Sequence, residues 1–199
     1  TYDAIEEKYK YFNDSFEISS GSMGLDTVYV KRGEKTRLDF LMRNELGNII
    51  IRKSSVFYGD SFISEHTFAV DSGVFYENNI ELLWAGGLRP TEQMEGEDVQ
   101  YGSGVVGQGG ETEDLQINSK DITTDRFIYS GTTEWAAIRT KYFMAALIAN
   151  EPGDFAMLSA ENIVFGERKQ TPLYYASLGF SSINAGVQSI SSSIYLGPL

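Results

Sequence analysis

Glu134-Trp135-Ala136-Ala137-Ile138-Arg139-Thr140-Lys141-Tyr142-Phe143-Met144-Ala145-Ala146-Leu147-Ile148-Ala149-Asn150 is the stretch whose reading decides the fold. Trp135, Ile138, Tyr142, Ala145 and Ala149 fall on one face of a helix. Residues 143–149 are also an unbroken apolar run, which suits a strand buried on both faces. A short helical turn over residues 135–139 feeding a core strand satisfies both patterns.

The flanking sequence tips the balance toward strands. Upstream, Leu38, Phe40 and Met42 alternate with Arg37, Asp39, Leu41 and Arg43. Such period-two alternation marks a strand with one buried face. Lys31-Arg32-Gly33-Glu34 reads as a turn, and residues 44–48 as a hairpin connection into Ile49-Ile50-Ile51. Further strand-like runs are residues 9–18, 25–30, 55–58, 62–70, 74–76 and 80–84. Downstream come residues 155–165, 173–180 and 187–196, punctuated by Gly153, Gly166, Gly179 and Gly186. One strand per ~8–12 residues predicts an all-β sandwich or barrel with at most one or two short helices.

Residues 86–110 differ. They carry Glu92, Glu95, Glu97 and Asp98, then Gly102, Gly104, Gly107, Gly109 and Gly110. This reads as a long loop with one weak strand near residues 99–106. With Tyr101, those four acids form the candidate partner-binding loop, because loops on a rigid scaffold commonly carry binding. No repeat of fixed period and no Pro/Ser linker divides the chain, so residues 1–199 are expected to form one domain.

Composition removes whole classes of function. The 199 residues hold 28 acids and 16 bases, a net charge of −12. That opposes nucleic acid, whose binding rests on phosphate neutralisation, and adhesion to anionic lipid through a basic patch. The absence of Cys excludes disulfides, thiolate zinc sites and cysteine nucleophiles. No run approaches the ~18 apolar residues of a membrane-spanning helix, and no signal peptide is visible.

Three motifs invite chemistry, and each has a plainer reading. Gly102-Ser103-Gly104-Val105-Val106-Gly107 matches a dinucleotide fingerprint, but Gln108-Gly109-Gly110 bars the helix it needs. The single His, His66, has no G-x-S-x-G nucleophile elbow to serve and reads as structural. The acids at 92–98 lack calcium-loop spacing. No catalytic residue, metal or cofactor is expected, and the chain is not expected to be an enzyme.

Residues 129–148, Tyr129-Ser130-Gly131-Thr132-Thr133-Glu134-Trp135 onward through Lys141-Tyr142-Phe143, resemble the end of the large periplasmic domain of the YidC/Oxa membrane-protein insertases. Leu82-Leu83-Trp84-Ala85-Gly86-Gly87-Leu88 with Thr91-Glu92 looks like a strand end of that domain. Ser193-Ile194-Tyr195-Leu196-Gly197-Pro198 looks like its closing strand. The resemblance implies a β-supersandwich similar to the galactose mutarotase-like fold. It implies a periplasmic position at the bacterial inner membrane and an accessory role toward Sec translocase components such as SecDF and nascent membrane proteins. The insertase core of the family is absent from these residues, so the domain is expected to be non-catalytic. Trp84, Gly86, Gly131, Trp135, Lys141, Tyr142, Phe143, Gly197 and Pro198 are its motif positions, expected in the structural core. Emptying a buried Phe143 site would then cost ~3–5 kcal/mol. The Met-less Thr1 and the Gly197-Pro198-Leu199 ending are read as the boundaries of a piece of a larger membrane protein. The alternative is a secreted carbohydrate-binding or mutarotase-like β-sandwich, suggested by 12 Tyr, 12 Phe and 2 Trp.

Overall fold

The computed structural model describes residues 16–20, 27–71, 79–85, 87–88, 100–116, 126–163, 171–181 and 188–199. Among the described residues, eleven strands form in chain order: β1 Glu17–Ser20, β2 Lys35–Arg43, β3 Ile49–Tyr58, β4 Ile63–Val70, β5 Asn79–Trp84, β6 Ser103–Gln108, β7 Glu111–Leu115, β8 Arg126–Arg139, β9 Phe143–Ile163, β10 Thr171–Ser181 and β11 Gln188–Pro198. All their pairings are antiparallel.

The deciding stretch is the turn of the long β8–β9 hairpin. Residues 135–139 are strand, not the expected helical turn. Ala136, Ala137 and Ile138 are buried on both faces, so the helical spacing of the apolar residues had no face to specify. The hairpin is bent midway. Between Thr133↔Gly153 and Trp135↔Ile148, two steps along β8 answer five along β9. Such a bulge adds twist and turns the strands. Gly131 sits beside it at φ +124°, a conformation L side chains rarely adopt.

The bend splits the fold into two layers. The first half of β9 pairs with β11 through Ala149 to Phe143, continuing the order β1-β2-β3-β4-β11-β9-β8-β6-β7. Its second half pairs with β10, which pairs in turn with β5. The layers face each other across one core. Val106, Ala136, Ile138, Ala145 and Leu147 from the first meet Ala156, Leu158, Ala160, Tyr174, Ala176 and Leu178 from the second. Gly104 lets them approach, because a Cβ there would lie 3.1 Å from Cδ2 of Leu158. A second cluster of Met42, Ile50, Ile51, Val70, Ile80 and Ile190 fills the β2–β5 side, and Phe180 packs against both clusters. The result is an all-β sandwich.

Several expected boundaries shift. Residues 49–51 and 55–58 are one strand, and the run from 155 continues β9. Residues 27–30 are not strand. The weak strand expected near residues 99–106 is β6, Ser103–Gln108, a buried strand between β7 and β8. Its glycines serve close packing rather than freedom: a Cβ on Gly107 would meet the Trp135 indole at 2.3 Å. The run 74–76 lies outside the described residues. Among the described residues, no helix is long and apolar enough to cross a membrane.

Candidate functional site

One end of the first layer gathers several sequence-predicted positions. The starts of β2, β4, β6 and β9 meet the ends of β3, β8 and β11 there. The turn 140–143 is closed by Thr140 N–H donating to the Phe143 carbonyl at 2.8 Å. Leu199 N–H donates to the Tyr142 carbonyl at 2.9 Å, and Leu196 N–H to the Phe62 carbonyl at 2.9 Å. The Phe62 ring stands edge-on to Tyr195 at 6.3 Å, over Gly197, where a Cβ would reach 2.7 Å from the Phe62 ring. Tyr195 also donates its hydroxyl to the Pro198 carbonyl. Lys141 Nζ lies 4.9 Å from the Tyr142 ring centre and 5.4 Å from that of Tyr101. This ties Tyr101 to the same surface.

The surface is apolar and open. Phe62 is 60% exposed, Leu196 50%, Tyr142 48% and Phe143 43%. The expectation that Tyr142 and Phe143 are core residues is therefore corrected. The turn places them at the strand ends, past the point where the two layers cover each other. Pro198 is exposed as well, Lys141 is half-buried, and Gly197 is buried beneath Phe62.

The single imidazole is elsewhere, on the inner face of β4. His66 is buried, with Ser55 Oγ 2.9 Å from Nδ1 and Ser64 Oγ 2.8 Å from Nε2. Ser64 Oγ in turn reaches the Ile194 carbonyl at 3.5 Å. The tautomer protonated at Nε2 satisfies this chain, with Ser55 donating to Nδ1. Burial, and then the nearby Lys53 ammonium, push the His66 pKa from 6.5 down to about 4. Lys53 itself lies 5.4–5.9 Å from the rings of Phe68, Phe40 and Phe16, and burial lowers its pKa. Serines hold both imidazole nitrogens, and burial favours the neutral ring. This arrangement does not present a nucleophile–base–acid array. Among the described residues, no cluster of three or more metal-ligating side chains is present.

The chain is 32% identical over 190 residues to the membrane protein insertase YidC of Chlorobium phaeovibrioides, covering 88% of this chain. It is 27% identical over 197 residues to that of Chlorobium luteolum, covering 94%. The match to Chloroherpeton thalassium YidC is 27% over 169 residues, covering 83%. Along most of its length the chain is similar to YidC insertases. It spans about a third of the length of these YidC relatives, 32%, 30% and 28% of them respectively. No protein-family model matches it. Among solved structures, the crystal structure of HI1317 superposes with a TM-score of 0.54 at 15% identity, over 91% of this chain and 64% of that one. That likeness is one of fold.

The other motif positions shared with the YidC resemblance serve the scaffold. Trp84 is half-buried on β5, its indole N–H donating to the Gly87 carbonyl at 3.0 Å. Trp135 is half-buried over Gly107, and Gly131 marks the hairpin bend. Gly86, Glu92, Glu95, Glu97 and Asp98 lie outside the described residues. Sequence reasoning missed Phe62, Leu196 and Leu199 as members of the exposed end. Their apolar character reads as core until the register places them beyond it.

Proposed function

We propose that the chain is a non-catalytic periplasmic domain of a membrane protein insertase. It assists insertion and folding of inner-membrane proteins through contacts with Sec translocase components such as SecDF or with nascent chains. The observation that carries this reading is similarity to YidC insertases along nearly the whole chain, while the chain accounts for about a third of their length. The site chemistry supports it. The exposed end offers apolar and aromatic contact area with a lysine, and the one His is buried between serines.

Photo-crosslinking tests it in the parent protein. A photoreactive residue at Tyr101 or Tyr142 is expected to trap translocase subunits or nascent membrane proteins in cells. The same probe at Leu46, 85% exposed at the opposite strand ends, is expected to trap neither. Equal trapping at the two ends, or none at either, contradicts the reading.

A further inference from the structure

Strand β7 ends the first layer, and among the described residues β6 is its only partner. Gly109 and Gly110 join the two at φ +58° and +82°, the left-handed region that both central residues of a type I′ turn require. A two-residue turn of this kind makes Gln108 and Glu111 a hydrogen-bonded pair, so the ladder bonds to β6 fall on Glu111, Glu113 and Leu115. Thr112 and Asp114 then turn their N–H and C=O groups away from β6. Among the described residues, no main-chain bond reaches them from that side. Residues 111–114 are exposed, so the edge is open.

The edge is also acidic. Glu111 and Glu113 stand on one face of the strand and Asp114 on the other. β6 carries no charge, and the half of β8 beyond it, with its turn, adds Glu134 against Arg139 and Lys141. Arg139 is already paired with Asp114 at 3.4 Å. The neighbouring sequence keeps the sign: residues 89–99 hold four acids and one base, and residues 117–125 two acids and one base. An unpaired strand edge is a template for another strand, and like charges directly opposite each other destabilise the pairing. A second copy of β7 would set carboxylates against carboxylates. A strand with lysine or arginine at alternate positions would set cations opposite Glu111 and Glu113.

We propose that the β7 edge takes up a basic, extended segment of another polypeptide as an added strand. Main-chain bonds to Thr112 and Asp114 supply the affinity, and the carboxylates select the partner. The proposal stands on this edge and does not depend on the insertase reading.

The test titrates the 199-residue chain with acetylated peptides of alternating lysine and valine, or of alternating glutamate and valine, and follows backbone amide exchange by NMR. The lysine peptide is expected to slow exchange at Thr112 and Asp114, while Glu113, already bonded to β6, changes little. The glutamate peptide is expected to leave all three unchanged. Glu111→Lys/Glu113→Lys is expected to weaken binding of the lysine peptide about tenfold or more, since attractive pairs become repulsive. Thr112→Pro keeps the charge and the β6 ladder and removes one outward N–H, so it too is expected to lose about tenfold or more. Cooperative thermal unfolding checks that each variant is folded, and the charge variant decides the question even if the proline variant does not fold. No added protection at Thr112 and Asp114 overturns the proposal. So does equal protection by the two peptides, or undiminished binding of the lysine peptide to the folded charge variant. Protection of these amides that grows with protein concentration alone assigns the edge to a second copy and overturns it as well.

Discussion

His66 couples burial to pH. Its folded pKa of about 4 lies below the unfolded 6.5. Between those values the unfolded chain binds a proton that the folded chain does not, so stability falls as pH drops from 6.5 toward 4. Below about pH 4 both states carry the proton and the loss is complete. At 1.36 kcal/mol per pKa unit, the contribution is up to about 3 kcal/mol. Denaturant titrations at pH 7.5 and 4.5 are expected to show a larger stability difference for the native chain than for His66→Gln. Equal differences would place the imidazole in water. Its register partner Ser192 is buried with an Oγ that has no hydrogen-bond partner. Ser192→Ala is thus expected to be neutral or to stabilise by about 1 kcal/mol, read from the same titrations. Phe143 shows where residue-level reading stops. Its place in an apolar run suggested ~3–5 kcal/mol for Phe143→Ala. At 43% exposed, the expected cost is about 1 kcal/mol. A thermal shift matching the larger figure would show that the ring is covered.

Among the elements, the alternating strands β2, β4 and β11 were legible, because one face is buried and the period of two survives in the sequence. The runs 143–149 and 173–180 were legible as strands too, although largely buried on both faces. β6, Ser103–Gln108, was legible only as a weak strand within a glycine-rich loop, because its glycines answer partners distant in the chain, Trp135 and Leu158. Residues 135–139 read as helix because alanines carry no period of their own. Gly107→Ala tests the close packing. The added methyl would overlap the half-buried indole of Trp135, and the expected cost is about 1–3 kcal/mol. Paired with Trp135→Ala, the same change should cost much less, since contacting residues are not additive. Additive costs in the double-mutant cycle would mean that the indole does not cover Gly107.

For the whole molecule, the all-β class and the YidC resemblance were readable from sequence; the strand pairing bears out the first and the curated relatives the second. The exposed apolar end was not. Only the register and the turn contacts bring Phe62, Tyr142, Phe143, Leu196 and Leu199 together. The absence of Cys makes the central claim directly measurable. A Leu46→Cys substitution, at a position 85% exposed, introduces one thiol into this domain of the parent protein. Its labelling by a membrane-impermeant maleimide is compared with the parent lacking that thiol, in cells whose outer membrane alone is permeabilised. The account predicts labelling before the inner membrane is broken, as for a periplasmic domain. Labelling only after inner-membrane lysis would contradict it.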